Sequence, residues 1–132
     1  MLTKNIKQTV IFEAKPPTVF ELLMDSKKHS DFTESKASIG RKVGDKFTAY
    51  GNYIAGENLE IIENKKIVQK WRASDWPLKH SSIVTFTLEP LGTGTRLTFS
   101  QIGVPQEQYK DLDQGWNENY WQKMKSYLKT KK

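Results

Sequence analysis

Two histidines, fifteen carboxylates and no cysteine narrow the metal and acid–base chemistry open to this 132-residue chain. Without cysteine, disulfides and thiolate-held zinc or iron are excluded. His29 stands in a Lys-rich polar segment and His80 in a loop after Trp76-Pro77. Neither has a second His or a carboxylate at metal-ligand spacing, so both read as surface histidines and no metal site is expected. Glu57 and Glu60 share a strand, with Glu57 turned inward only if Gly56 forms a bulge. Asp111 and Asp113 sit at the opening of a helix, where Asp113 reads as a capping or dipole-matched residue. Ser81 and Ser82 simply begin a strand. There is no Ser–His–Asp set, no Gly-rich phosphate loop and no Lys in an apolar run. The residues supply no catalytic site, and no cofactor is expected.

What remains is aromatic. Gly103–Leu128 reads as a Pro-started helix on which Trp116, Tyr120, Met124 and Leu128 recur every fourth residue, forming one stripe. Trp121 and Tyr127 add to its mass. Such a helix must lie on something large and apolar, and rings fill space less completely than aliphatic chains, so a cavity is expected beneath it. Phe32, Phe47, Gln69, Trp71, Trp76, Trp116, Tyr120 and Trp121 are the residues expected around that cavity. Gln69 is the odd member, sharing an inward strand face with Ile67 and Trp71. A buried amide needs a partner in protein, water or ligand. Two readings stay open: a pocket for a small hydrophobic or amphipathic molecule, or a filled core with Gln69 bonded to backbone. Trp76, in the loop Trp76-Pro77-Leu78, is either a lid over the mouth or an exposed anchor for a protein partner.

The elements that would position these residues alternate clearly. Asn5–Ala14 reads as a strand with Ile6, Val10 and Phe12 on one face and Ile11 on the other. After Pro16-Pro17, Thr18-x-x-Glu21 has the pattern of a capping box, and Val19, Phe20, Leu22 and Leu23 make a short apolar helix ending near Asp25-Ser26. A second helical turn runs to Phe32. From Ala37 the period becomes that of strands. Gly44-Asp45, Gly51-Asn52, Glu63-Asn64-Lys65 and Gly92-Thr93-Gly94 are turn signals between them. Gly56 marks a bulge or a close backbone approach. Gly103-Val104-Pro105 is expected to break the sheet before the last helix. The order is β-α-α, a meander of five or six strands, then the long helix. This predicts an α+β, helix-grip fold with a curved antiparallel sheet wrapped around a C-terminal helix.

One domain spanning 1–132 is expected at this length. The net charge is +6, but Lys123, Lys125, Lys129, Lys131 and Lys132 load the end of the last helix, where cations complement the macrodipole. A basic balance of that origin does not call for nucleic acid. The N-terminal stretch lacks the apolar core of a signal peptide, and no segment approaches the roughly 20 apolar residues of a membrane span. A cytoplasmic, soluble protein is the expectation.

The motifs also fit a family. Gly56-Glu57-Asn58-Leu59-Glu60, the run KIVQKWR from Lys66 to Arg72, Trp76-Pro77, SIVTF from Ser82 to Phe86 and Gly94-Thr95-Arg96-Leu97 occur in order. Gly103-Val104-Pro105, Gly115-Trp116, Tyr120-Trp121 and Leu128 complete the series. Together they resemble the C-terminal-type domain of the Aha-type activators of heat-shock chaperone ATPase, members of the START-like (SRPBCC, birch-pollen-allergen) helix-grip superfamily. The resemblance spans nearly the whole chain and implies the same fold. It also implies two kinds of relative: two-domain co-chaperones that stimulate the ninety-kilodalton heat-shock chaperone, and stand-alone domains mostly without an assigned activity. A heat-shock chaperone is therefore a second expected partner beside a small hydrophobic or amphipathic molecule.

Overall fold

Side-chain alternation along Thr3–Phe12 makes the first strand, β1, with Ile6, Val10 and Phe12 buried and Ile11 48 % exposed. The computed structural model describes residues 1–130. Helix α1 (Pro16–Met24) starts with prolines at its first two positions, which remove two amide donors that a cap would otherwise have to satisfy. Its N-cap is Lys15, with no side-chain cap bond. The expected Thr18/Glu21 capping box therefore does not form, because Thr18 already lies inside the first turn. Glu21 pairs instead with Arg41, Nη2 to Oε2 at 2.6 Å. Asp25 ends α1 and caps α2 (Ser26–Thr33), its carboxylate accepting the Lys28 amide at 2.9 Å.

The rest of the sheet follows as a meander: β2 (Ser38–Ile39), β3 (Lys46–Ala49), β4 (Ile54–Ile62), β5 (Lys66–Ala73), β6 (Ser82–Leu91) and β7 (Gly94–Pro105). All pairings are antiparallel and the order is β1-β7-β6-β5-β4-β3-β2, so the sheet is open, with β1 and β2 at its edges. Gly56 is a close-approach site: a Cβ there would stand 1.9 Å from the Lys70 carbonyl oxygen and 2.7 Å from the Phe47 ring. The register slips three residues later, where Leu59 is the extra residue between the Asn58–Gln69 and Glu60–Val68 pairs.

The sheet does not break at Gly103. Strand β7 continues to Pro105, and Ile102-Gly103 together oppose Asn5, between the Lys4–Val104 and Ile6–Gln101 pairs. Gly103 has φ of 94°, a left-handed conformation that suits the bulge and needs no Cβ. The chain then enters a 3₁₀ turn (Gln106–Gln108), α3 (Tyr109–Trp116), a π turn (Asn117–Trp121) and α4 (Gln122–Thr130). This composite helix lies on the inward face of the sheet, burying Trp116, Tyr120, Trp121 and Met124 and half-burying Tyr127 and Leu128. Lys129 is in the last turn, as the charge pattern predicts; Lys131 and Lys132 lie outside the described residues. Among the described residues no helix is long and apolar enough to cross a membrane.

Candidate functional site

A cleft of about 490 Å³ opens between the β4–β5 end of the sheet and the first half of the composite helix. Its floor is Ile54, Trp71, Leu112, Trp116 and Tyr120, with Gly115 leaving the helix flank bare. Its rim carries Tyr50, Tyr53, Asp75, Gln108, Asp111 and Asn119. Tyr50 has φ of 51°, uncommon for a side chain of that bulk, and it donates its hydroxyl to the Asn119 carbonyl at 2.6 Å. This bond straps the β3–β4 turn to the π turn. Tyr53 donates to Asp75 Oδ1 at 3.1 Å. An apolar aromatic floor with a few hydrogen-bonding groups at one rim suits a small molecule with an apolar body and a polar end.

Among the residues expected around a cavity, Trp71, Trp116 and Tyr120 line this cleft and the others stand elsewhere. Trp76 packs on Trp71, ring centroids 5.4 Å apart, as a layer behind the cleft wall. It is 4 % exposed, so the exposed-anchor reading does not describe it; Leu78 beside it is 87 % exposed. The Trp76 Nε1 is buried with no acceptor among the described residues. Phe47 lies against Gly56, and Phe32 lies behind Tyr120, centroids 5.8 Å apart. Trp121 points into the core against Phe12 and Phe99. Gln69 does turn inward, and its amide donates to Asn58 Oδ1 at 3.0 Å. Asn58 passes the chain on to the Gly40 and Lys42 carbonyls. The Gln69 donor is thus satisfied by a side chain rather than by the backbone.

Two glutamines hold the helix to the sheet. Trp116 Nε1 donates to Gln101 Oε1 at 2.8 Å, and Gln101 Nε2 donates to Ser82 Oγ, which donates to the Trp71 carbonyl. Trp121 Nε1 donates to Gln8 Oε1 at 2.7 Å, and Gln8 Nε2 reaches the Asp113 carbonyl and carboxylate. Asp113 is therefore a tie to β1, not a helix cap. The Trp116 and Trp121 indole N–H groups are paired inside the fold, so both rings are fixed in orientation.

His29 is not a surface residue. It is 5 % exposed, and its ring nitrogens face the Leu23 carbonyl at 3.3 Å and the Tyr120 hydroxyl at 3.0 Å. A carbonyl only accepts, so Nδ1 carries the proton and Nε2 accepts from Tyr120. Burial pushes the imidazole down to about 4. Burial also raises the Tyr120 phenol, with Tyr50 adding a smaller push, and brings Tyr50 up to about 12. The pair is neutral, and it directs the Tyr120 hydroxyl away from the cleft. His80 is half-buried and bonds the Gly103 carbonyl through Nε2 at 2.7 Å.

A profile of the family described as "Activator of Hsp90 ATPase homolog 1-like protein" matches residues 13–129. The chain belongs to this family. A relative from Dictyostelium discoideum, "Activator of 90 kDa heat shock protein ATPase homolog", is 30 % identical over 93 % of this chain and 32 % of its own length. The human homolog 1 is 27 % identical over 92 % of this chain and 35 % of its own. The chain thus spans about a third of the length of the curated relatives it matches. Among solved structures, an Hsp90 activator from Plasmodium falciparum superposes with a TM-score of 0.90 at 25 % identity, covering 94 % of this chain and 95 % of that one. The family's helix-grip fold is the one described above.

Sequence reasoning missed Gln8, Gln101, His29, Tyr50 and Tyr53. Gln8 falls on the inward parity of β1 between Ile6 and Val10, and Gln101 on that of β7 with Leu97 and Phe99. The same polar-on-an-apolar-face signal that singles out Gln69 marks both. His29 carries no such signal, because α2 buries only His29, Phe32 and Thr33 and is otherwise polar.

Proposed function

We propose that residues 1–132 act as one START-like domain of this family that holds a small hydrophobic or amphipathic molecule between its sheet and C-terminal helix. The observation that carries this reading is the cleft of about 490 Å³ floored by Trp71, Trp116 and Tyr120, within the size range of small-molecule sites. The rings that form its floor are held in place by the Gln101 and His29 bonds, so it is preorganised rather than formed on binding. The test is a thermal-shift and fluorescence screen of hydrophobic and amphipathic ligands with Gly115→Leu as control. Binding that is lost in this variant, with the fold retained, supports the reading. Ligands that bind both proteins equally, or none that bind the parent, refute it.

A second reading rests on the relatives, which are named as activators of the 90 kDa heat-shock protein ATPase. In it the domain contacts such a chaperone as a co-chaperone-like module in the cytoplasm. A pull-down at low salt with the chaperone of the same organism checks it, and absence of any binding removes it.

A further inference from the structure

In a chain of net charge +6, the cleft is lined by two charged side chains, and both are acidic: Asp75 from the loop after β5 and Asp111 from α3. No Lys, Arg or His is among its lining residues. The nearest-in-sequence cation to Asp75 is Arg72, whose guanidinium donates to the carbonyls of Trp76, Pro77 and His80 and so is committed to holding the loop. Neither aspartate takes part in any of the ion pairs among the described residues. Asp75 accepts one bond, from the Tyr53 hydroxyl. Both carboxylates are near enough to Tyr53 for their charge to help raise its phenol above the usual value, behind the larger effect of burial. The rings of Tyr50, Tyr53, Trp71 and Trp116 line the same cleft.

Resting on the reading that this cleft holds a ligand, we infer the class of that ligand: an amphipathic organic cation, its apolar body on the Trp71–Trp116 floor and its ammonium group at the Asp75–Asp111 rim. Two carboxylates attract an ammonium group, and aromatic faces attract it again through their quadrupoles. A fatty carboxylate, the other common amphiphile, would bring a like charge to the same rim. The preference also runs against the protein's net charge of +6, which favours anions overall. A measured preference for cations is therefore a property of the cleft.

The test titrates three probes sharing one apolar body, phenylbutylammonium, phenylbutanol and phenylbutanoate, against the labelled protein, following amide and indole chemical shifts. The expected result is ammonium binding about tenfold tighter than the alcohol, with the carboxylate weakest, and shifts centred on Tyr53, Trp71, Gly115 and Trp116. Asp75 and Asp111 are both exposed, so the Asp75→Asn/Asp111→Asn double variant keeps the fold. In it the ammonium advantage falls to about twofold or less while the alcohol binds as before. If the alcohol or the carboxylate binds the parent as well as the ammonium does, the cation assignment is overturned and the cleft reading stands. If none of the probes moves the cleft resonances, both are overturned.

Discussion

Trp116 and Trp121 lie five residues apart on one helix with their rings stacked, centroids 5.6 Å and planes 23° apart, yet they border different kinds of interior. Trp121 is enclosed: Phe12, Phe86 and Phe99 meet its ring at their edges. Trp116 has Phe99 at 4.3 Å on the core side, Tyr120 at 4.6 Å beside it in the cleft floor, and on the other side the cleft. The π turn between them brings both onto the sheet, where regular α-helical spacing would set residues five apart about 140° from each other around the axis. The comparison teaches that aromatic mass alone does not make a cavity. Where large rings face large rings, the space closes. Where Gly115 stands beside Trp116, with Ile54 of β4 and Trp71 of β5 across from it, it stays open.

The largest effect should come from the closed side. Trp121→Ala removes a ring that is 2 % exposed and leaves the Gln8 side-chain Oε1 without its indole donor. A loss of about 3–5 kcal/mol is expected in urea unfolding, with cleft ligands bound as before by whatever remains folded. A loss under about 1 kcal/mol would mean that the two sides are not packed differently.

Next in size is a pH effect at the boundary between them. The His29 imidazole sits at about 4 when folded, against about 6.5 in an unfolded chain. Between those values the unfolded chain binds a proton that the folded one refuses, so stability falls as pH drops through this window and is fully present above it. The full span corresponds to about 3 kcal/mol. His29→Gln retains a donor for Leu23 and an acceptor for Tyr120 but does not titrate. Urea midpoints measured across the window should slope for the parent and lose most of that slope in the variant; parallel curves would remove His29 from the account.

The inward faces are the legible part of the sequence on both sides. Ile6, Val10, Phe12, Ile67 and Trp71 announce their faces by alternation, and each is buried as the period requires. Trp116, Tyr120 and Met124 announce theirs by helical spacing, and Trp121 joins them only because the π turn shifts the register. No periodicity encodes that shift. What further fixes the open side depends on meetings across the chain: Tyr50 with Asn119, 69 residues on, and His29 with Tyr120, 91 residues on. Gly103 shows a different limit. Gly-x-Pro is an accurate signal of irregular backbone, but a bulge satisfies it as well as a strand end does, and pairing with β1 selects the bulge.

A smaller effect separates the strap from the floor. Tyr50→Phe keeps the ring that packs on Tyr120, centroids 5.9 Å apart, and deletes only the bond to Asn119. The expected cost is about 1 kcal/mol, with faster amide exchange in the π turn. Unchanged exchange there would show that the hydroxyl bond does not tie the rim together.

The smallest effect has the opposite sign. Gly115 lies mid-helix without a positive φ, and a Cβ placed on it meets nothing closer than Asn119 Nδ2 at 3.5 Å, an ordinary contact. Glycine there gives up backbone entropy that alanine does not, so Gly115→Ala should raise stability by up to about 1 kcal/mol. Fold stability alone would then favour alanine, and the position's value must lie in the space it leaves beside Trp116. Scanning Gly115 through Ala to Leu should thus separate two quantities: folding free energy holds or rises with Ala, while ligand affinity falls with each added carbon. If Ala lowers the unfolding midpoint, the glycine serves the packing of the helix, and the cleft is incidental to it.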